Sequence, residues 1–343
     1  MAVRVVQVGM GSWGMGWGAV VQRADDVELV ACMDTNPAML AQAQRELGVP
    51  AERCFTTLAA AFEAVESDAV LITAALPAHV PAALAALEAN KHVLLEKPFA
   101  ATLAEAQRVV EAAARHGRIL MISQNYRFFP AARTVAALVR AGTLGEVGAV
   151  SIDFRRNDNS APRAGYRHYS FQQPLLVDMA IHHFDLLRMI LGREPQQIAC
   201  SAWNPPWSNY DEAAAALATI SFAGGTMVSY RGSWVSPAPQ TPWTGIWRME
   251  CAGGEILWAG RGHGVTGERV TVRPLGKPAR RVELPTLPQT DRAGSLAAFV
   301  HAVQTGQEPE TSGRANLGSV ALMNAAVESA TAGLPMFVPQ PND

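Results

Sequence analysis

Cysteine is scarce in this chain, and its four cysteines form no recognisable pair. They are widely separated, without any C-x-x-C arrangement, and lie at Cys32, Cys54, Cys200 and Cys251. Closely spaced cysteines are typical of zinc sites, redox motifs and small disulfide-stabilised secreted domains. Because these thiols are scattered, we expect them to be reduced and mostly buried, in a cytoplasmic protein.

Long apolar runs and a strong excess of either charge are also lacking. No apolar run approaches the roughly 18 residues needed to cross a bilayer. A formal net charge of −2 gives no reason to expect a nucleic-acid or membrane partner. A strand begins almost at the N-terminus, so we expect no signal peptide. The hydrophobic fraction of 49% is typical of a globular protein, and 343 residues favour two domains.

The most informative pattern that is present is a glycine loop near the N-terminus. A strand-like stretch ends in Gly9-Met10-Gly11-Ser12-Trp13-Gly14, and Asp34 follows at the tip of the next strand. In G-x-G-x-x-G the glycines allow a tight turn, backbone approach to a pyrophosphate and close helix packing. A coincidental glycine turn is the alternative, but the strand–loop–helix–strand–acid order favours a dinucleotide site.

The acid at the second strand also indicates which dinucleotide binds. The carboxylate of Asp34 suits the two ribose hydroxyls of adenosine and would repel a 2′-phosphate. Residues 35–37 contain no arginine that could bind such a phosphate. NAD is therefore favoured over NADP.

Over the first 125 residues, short apolar strands alternate with alanine-rich helices. This alternation predicts a doubly wound parallel sheet of the Rossmann type, covered by helices on both faces. The predicted strands are 3–9, 27–33, 69–73, 92–95 and 118–122, and the predicted helices are 13–23, 37–47, 57–65, 79–90 and 102–116.

Beyond residue 130 the pattern changes. We predict a helix at 130–141, a strand at 147–155, an arginine-rich loop at 155–170 and a periodic helix at 175–191. Short strands broken by glycine and proline then run from 197 to 285, with a hairpin at Phe222-Ala223-Gly224-Gly225, before two helices near 296–303 and 315–331. The short strands indicate a largely antiparallel sheet.

Glu96-Lys97-Pro98 follows the fifth predicted strand directly. The carboxyl ends of parallel strands are where open α/β sheets bind ligands. Pro98 lacks an N–H and disfavours helical backbone before it, so the strand stops and Lys97 projects from the sheet edge. A solvated lysine at a strand end is the alternative reading.

A second group of reactive side chains lies on the predicted helix 175–191. Asp178, His182 and Asp185 are spaced four and three apart, which places them on one helix face, whereas His183 points about 100° away. A carboxylate one turn from an imidazole can orient the ring as a general acid–base pair requires. A metal site is an alternative, although H-E-x-x-H is absent, and a structural network inside a buried helix is another.

Together these segments resemble one family, the Gfo/Idh/MocA oxidoreductases, over nearly the whole chain. The resemblance is carried by the glycine loop with Asp34, by residues 91–98, by Asn125-Tyr126-Arg127-Phe128, by residues 144–147, by Asp178-x3-His182 and by residues 325–329. It implies an NAD-binding Rossmann domain over 1–125. It also implies a substrate-binding and oligomerisation α/β domain over 126–343, with an open, mainly antiparallel sheet. The C-terminal helices are candidates for packing back on the first domain, and cofactor and substrate are expected to meet between the two.

The resemblance also implies roles for single residues. Lys97 matches the family's active-site lysine, and Asp178 and His182 match its catalytic pair. In the usual reaction the hydroxyl of a sugar, inositol or related polyol loses hydride to nicotinamide while His182 takes the hydroxyl proton. Asp178 positions His182, and Lys97 hydrogen-bonds the reacting oxygen. A non-catalytic nucleotide-binding regulator, or transient oxidation by NAD during glycoside cleavage or epimerisation, stays open as an alternative.

Two segments depart from the family pattern. Gln172-Gln173-Pro174 stands where many members have three glycines, and Ala74-Ala75-Leu76 stands where many have Thr-Pro-Asn. The first puts the substrate in question, and the second suggests backbone contacts to the cofactor. The expected cofactor contacts are Gly9, Gly11, Ser12, Trp13, Gly14, Asp34, Ala74, Leu76, His79, Glu96 and Lys97. The expected substrate contacts are Tyr126, Arg156, His168 and His183. The arginine-rich segment that contains Arg156 and His168 is suited to a polar or acidic substrate, and a solvated loop is equally open. We expect no metal, and a homodimer or homotetramer formed through the C-terminal sheet.

Overall fold

The computed structural model describes residues 2–260 and 267–340, which form two compact units. Unit 1 comprises Met1–Asn125 with Gln289–Val320, and unit 2 comprises Tyr126–Pro288 with Ala321–Asp343. The long helix α9, Gly313–Ala332, begins in unit 1 and ends in unit 2.

Unit 1 contains a six-stranded parallel sheet, as the alternating pattern predicts. The strand order is β3-β2-β1-β4-β5-β6, so the order reverses between β1 and β4. The strands are β1 Val3–Val8, β2 Val27–Met33, β3 Cys54–Phe55, β4 Ala69–Ile72, β5 His92–Glu96 and β6 Leu120–Ser123. In such a sheet, ligands bind beyond the carboxyl ends of the strands, at the point of reversal. The five predicted strands are confirmed, and β3 went unpredicted because two residues carry no periodicity.

The described residues of unit 1 contain six complete α-helices. They are α1 Ser12–Val21, α2 Pro37–Leu47, α3 Leu58–Ala64, α4 Leu76–Glu88, α5 Leu103–His116 and α8 Asp291–Thr305. Side-chain hydrogen bonds cap the start of α2, α3 and α5. The Asn36 side chain accepts from the Ala38 N–H at 3.0 Å. Thr102 and Glu105 form a reciprocal capping box, with both bonds 3.2 Å long. These caps fix the residues at which α2 and α5 begin.

Unit 2 contains a nine-stranded sheet that is antiparallel except where β7 pairs with β10. The order is β14-β13-β12-β11-β7-β10-β9-β8-β15. The strands are β7 Val147–Arg155, β8 Pro195–Trp203, β9 Ala215–Phe222, β10 Met227–Ser233, β11 Ile246–Cys251, β12 Gly254–Gly260, β13 Glu268–Pro274, β14 Arg280–Val282 and β15 Met336–Phe337. The predicted hairpin joins β9 to β10, and Gly224 and Gly225 both have φ of 85° there. The mainly antiparallel second sheet is therefore confirmed.

The predicted continuous α-helix over 175–191 is wrong over residues 175–180. The chain forms a π-helical turn over Pro174–Ala180 and only then the α-helix α7, Ile181–Leu191. Unit 2 also contains α6, Pro130–Arg140, and the C-terminal part of α9. Gln173 precedes the π-helical turn with φ of 47°, a left-handed conformation that glycine adopts most readily. π-helical turns are rare and are frequent at functional sites.

Within the described ranges, none of the helices has the length and apolar character that crossing a bilayer demands.

Candidate active site

Two glycines of the N-terminal loop are required by close packing inside unit 1. Gly9 has φ of 91°, and a Cβ there would lie 2.5 Å from the backbone N and Cα of Ala74. A Cβ on Gly14 would lie 2.0 Å from the Gly9 carbonyl oxygen. The loop after β1 therefore lies directly against the turn after β4, and α1 lies directly against the loop.

Gly11 is different, because the space beside it is open. A Cβ there would meet no described atom within 4 Å. Gly11 is the N-cap of α1, which begins at Ser12. The first N–H groups of a helix have no partner inside it, and their dipoles favour an anion. Open space at this position fits a pyrophosphate approaching the backbone.

Two buried polar side chains that the sequence reading missed hold the glycine loop in place. Gln7 Nε2 donates to the Gly14 carbonyl at 2.7 Å, and Thr73 Oγ1 donates to the Gly9 carbonyl at 2.7 Å. Gln7 also donates to Thr73 Oγ1 at 3.2 Å. The signal in the sequence was a glutamine among the apolar residues Val5, Val6 and Val8 of β1. Such a buried polar side chain is generally hydrogen-bonded.

Asp34 is joined to the glycine loop by its carboxylate. Oδ2 accepts from the Met10 N–H at 2.7 Å, and Oδ1 accepts from the Asn36 N–H at 2.8 Å. A carboxylate has about four acceptor positions, so each oxygen can take one further hydrogen bond. The carboxylate is thus oriented by backbone and still able to accept from ribose hydroxyls. The glycine loop, the start of α1 and Asp34 fit a dinucleotide.

His79 is enclosed in unit 1 and bridges two backbone carbonyls. Its Nε2 lies 2.9 Å from the Ala74 oxygen, and its Nδ1 lies 2.8 Å from the Pro98 oxygen. Burial lowers the pKa of His79. The His79 ring therefore joins the turn after β4 to the Glu96-Lys97-Pro98 segment. Leu76, another expected cofactor contact, is the first residue of α4 and is half-buried.

Glu96 is also buried, directly before Lys97. Its Oε1 accepts from the Trp17 indole at 2.7 Å, and its Oε2 accepts from the Lys97 N–H at 3.0 Å. Burial raises the pKa of Glu96, while the Lys97 charge and hydrogen bonds from Trp17 and Trp13 oppose that rise. Glu96 therefore positions the Lys97 backbone and connects it with α1. Trp13 is 48% exposed, and the Arg292 guanidinium lies 4.6 Å from its ring centroid.

In unit 2, Asp178 lies in the π-helical turn and is hydrogen-bonded to His168. His168 Nε2 is 3.2 Å from Asp178 Oδ2, and His168 Nδ1 is 3.0 Å from Asp158 Oδ2. Burial alone would lower the pKa of His168, but the hydrogen bonds and charges of the two carboxylates outweigh it and raise that pKa to about 9. His168 is therefore an imidazolium at neutral pH, between two carboxylates.

Two tyrosines complete this network around Asp158. Tyr210 donates to Asp158 Oδ2 at 2.8 Å, and Tyr166 donates to the same oxygen at 3.0 Å. The hydrogen bond from His168 is the largest effect that lowers the pKa of Asp158. Sequence reading missed Asp158 and Tyr210, which lie far from Asp178 along the chain. The structure gives His168, predicted as a substrate contact, a role beside Asp178.

His182 lies four residues beyond Asp178, in the first turn of α7. Its ring stacks on Tyr126, with centroids 4.1 Å apart and planes 14° from parallel. The stacking fixes the plane of the imidazole, as a base that must meet a hydroxyl in one orientation requires. Two predicted residues, Tyr126 and His182, are thus brought together within unit 2.

The other two reactive-looking residues of α7 are structural. Arg127 donates to both carboxylate oxygens of Asp185, from Nε at 2.6 Å and from Nη2 at 2.8 Å, in a buried ion pair. His183 is fully buried, with Nε2 3.1 Å from the Trp243 carbonyl and Nδ1 3.2 Å from the Tyr230 hydroxyl. Burial lowers the pKa of His183 to about 4, so the ring is neutral. The predicted substrate contact by His183 is corrected, because its ring nitrogens face protein groups.

Arg156 lies just beyond the end of β7 and is 3% exposed. Nη1 donates to Gln240 Oε1 at 2.8 Å, and the guanidinium carbon lies 4.0 Å from the centroid of the Trp243 ring. The predicted solvated arginine-rich loop is therefore wrong at this residue.

No group of three or more His, Cys, Asp or Glu side chains could hold a metal ion in the part of the chain that the structure describes.

Comparison with known proteins gives two family-model matches. Residues 3–124 match the Gfo/Idh/MocA oxidoreductase model with an NAD-binding Rossmann fold, and residues 132–253 match the Gfo/Idh/MocA C-terminal domain. Among curated proteins, the uncharacterised protein y4oX of Sinorhizobium fredii is 28% identical, covering 98% of this chain and 96% of its own. Inositol 2-dehydrogenase of Rhizobium meliloti is 26% identical, covering 96% and 97%.

Solved structures share the fold. An oxidoreductase from Agrobacterium radiobacter, crystallised with NAD+, L-tartaric acid and magnesium, gives a TM-score of 0.85 at 20% identity over 98% of this chain and 99% of its own. The WlbA dehydrogenase from Bordetella pertussis, in complex with NADH and UDP-GlcNAcA, gives 0.83 at 21% identity over 99% and 100%.

Proposed function

Because the chain belongs to the Gfo/Idh/MocA oxidoreductase family, we propose that it is an NAD-dependent dehydrogenase that oxidises a secondary hydroxyl of a sugar, inositol or related polyol. The observation that supports this proposal is a hydrogen-bonded Asp178 and a stacked His182 four residues apart, in a chain whose other unit has a dinucleotide-type glycine loop. Relatives named inositol 2-dehydrogenase and D-apiose dehydrogenase, the latter from Paraburkholderia graminis, support a polyhydroxy substrate.

The cofactor would be held by the glycine loop, the start of α1 and Asp34. The Asp34 carboxylate, oriented by two N–H groups, would accept from ribose hydroxyls and repel a 2′-phosphate, which favours NAD over NADP. Ser12, Trp13, Ala74 and Leu76 lie on segments that follow β1 and β4 and would contribute contacts. Glu96 and His79 would act indirectly, by positioning the backbone around Lys97.

Each residue of the proposed catalytic group has a separate task. Oxidation of the substrate hydroxyl to a carbonyl would rely on the hydride-accepting chemistry that a bound nicotinamide supplies. His182 takes the hydroxyl proton, and its stacking on Tyr126 limits the orientations from which it can do so. Asp178, held by His168, stabilises the protonated His182. The ammonium of Lys97 hydrogen-bonds the reacting oxygen and favours the negative charge that develops on it.

The test is NADH formation with a panel of sugars and inositols, using wild type, Lys97→Ala and His182→Ala. We expect kcat to fall about 10²–10⁴-fold in each variant while NAD binding is retained. Lys277→Ala is a matched control, since Lys277 is exposed and also precedes a proline, and His301→Ala is the control for His182. Normal turnover in Lys97→Ala or His182→Ala would contradict the assigned roles. Substrate conversion without net NADH would instead indicate transient oxidation.

We also propose that the chain forms a homodimer or homotetramer through the sheet of unit 2. Four exposed apolar residues lie on one face of this sheet, because cross-strand partners share a face. They are Trp203, Leu217, Met227 and Phe337, with exposures from 41% to 81%. Such patches mark protein interfaces, and light scattering on wild type and Leu217→Glu tests this one. A monomeric wild type would refute it.

A further inference from the structure

One edge of the Arg156 guanidinium has no hydrogen-bond partner among the residues that the structure describes. Nη1 donates to Gln240, but Nε and Nη2 are buried without a hydrogen-bond partner among the residues that the structure describes. Burial lowers the pKa of Arg156, and the nearby group that opposes this is the Tyr126 phenol rather than a carboxylate. A buried charge without a counter-charge is costly, so proteins generally pair such groups.

Two other arginines of unit 2 indicate what this edge accepts. Arg127 uses Nε and Nη2 to hold both oxygens of Asp185, at 2.6 and 2.8 Å. Arg188 uses the same two nitrogens to hold both oxygens of Glu194, each at 2.6 Å. The planar fork matches a carboxylate with two parallel hydrogen bonds. Arg156 offers the same edge, and stacking on Trp243 fixes its plane.

Contacts within unit 2 connect Arg156 with α7, the helix that carries the proposed base, His182. Arg156 stacks on Trp243, with its guanidinium carbon 4.0 Å from the ring centroid. The Trp243 carbonyl oxygen lies 3.1 Å from Nε2 of His183, the residue that follows His182 in α7. Trp243 therefore connects Arg156 with the part of α7 that carries His182.

We propose that the substrate is a hydroxy acid whose carboxylate binds side-on to Nε and Nη2 of Arg156, while its secondary hydroxyl is oxidised at His182. This rests on the proposed dehydrogenase function and narrows its substrate from polyols in general to sugar acids. A neutral polyol would leave the Arg156 charge unpaired. A carboxylate supplies both missing acceptors and the missing negative charge.

The experiment compares acids with their neutral parents: gluconate with glucitol, glucuronate with glucose, and glucose 6-phosphate as a phosphate arm. For wild type with NAD we expect a higher kcat/KM for a carboxylate. Arg156→Met should lower that value about 30-fold or more, because it removes one partner of a buried charge pair, and should lower the value for the neutral parent much less. Arg156→Lys keeps the charge but loses the two-nitrogen edge, so it should fall between. Arg167→Met, an exposed arginine of the same segment, is the matched control.

A binding measurement separates this proposal from the proposed function. Calorimetric titration of each acid into wild type and Arg156→Met should give saturable binding that the variant loses, whether or not NADH forms. Acid binding without turnover would refute the dehydrogenase assignment and retain the carboxylate site. Turnover of neutral polyols with no preference for acids, preference for the phosphate, or no saturable binding of the acids would overturn the site. If Arg156→Met does not fold, Arg156→Lys and the acid-to-neutral ratio of wild type decide the question.

Discussion

Replacing His168 by glutamine tests the charged network beside Asp178. The imidazole lies between Asp158 at 3.0 Å and Asp178 at 3.2 Å, and these carboxylates raise its pKa to about 9 from an ordinary 6.5. Glutamine can keep one hydrogen bond but carries no charge. We therefore expect the variant to lose the part of the stability that depends on the imidazolium.

The size and sign of that loss follow from proton linkage. Each pKa unit corresponds to about 1.4 kcal/mol, so the shift gives at most about 3.5 kcal/mol, and partial solvent screening reduces this to about 2–3 kcal/mol. Because the folded-state pKa of His168 is raised, this stabilisation is fully present below about pH 6.5 and is lost as the pH rises through about 9. Tyr166, with a pKa raised to about 12, and Tyr210, whose pKa is raised further, stay neutral over that range.

Thermal unfolding of wild type and His168→Gln between about pH 6 and about pH 10 measures the effect. The difference in midpoint should be largest at the acidic end and should shrink by about 5–10 °C at the alkaline end. His301→Gln, at an exposed histidine, should show no such trend. In wild type, histidine ¹³C NMR should show one titration midpoint near pH 9 that is absent from the spectra of His168→Gln. A midpoint near 6.5, or a pH-independent difference in stability, would refute a cationic His168.

Three further substitutions probe other parts of the structure. Gln173→Gly should raise the free energy of unfolding by about 1 kcal/mol, because it relieves left-handed backbone at φ of 47°, whereas Gln173→Ala should not; equal effects would contradict this. Trp17→Phe should cost about 1–3 kcal/mol in urea unfolding, because the buried Glu96 carboxylate loses an indole N–H at 2.7 Å; an unchanged stability would mean that this bond is dispensable. Asp185→Asn should cost about 3–5 kcal/mol in thermal unfolding, because it leaves the Arg127 charge buried without its carboxylate; an unchanged midpoint would show that this charge does not need its partner.

Much of unit 1 was predictable because its signals are local. Strand periodicity, the capping box at Thr102 and the turn chemistry of the glycine loop all act over a few neighbouring residues. The two-residue strand β3 was missed because it forms only through pairing with β2. The π-helical turn over Pro174–Ala180 was read as α-helix, since both helices bury apolar residues at similar intervals.

The candidate site likewise has residues that the sequence could nominate and contacts that only the tertiary structure shows. Motif spacing nominated Lys97, Asp178 and His182, and their roles stay predictions. The bond from His168 to Asp178 joins residues ten positions apart across an irregular loop, so no helical or strand period announces it. The neutral, enclosed state of His183 likewise depends on Trp243 and Tyr230, which arrive from distant parts of the chain.

By itself, the sequence determined a dinucleotide-type parallel sheet, a second mainly antiparallel sheet and the reactive residues worth considering, because hydrophobic period and turn chemistry are short-range. Only the tertiary structure decided which charges are neutralised. It paired Arg127 with Asp185, set His168 between two carboxylates and left one edge of Arg156 without a protein partner among the described residues. Burial raises the free-energy cost of an unpaired charge, and whether a buried charge is paired depends on the neighbours that folding brings together.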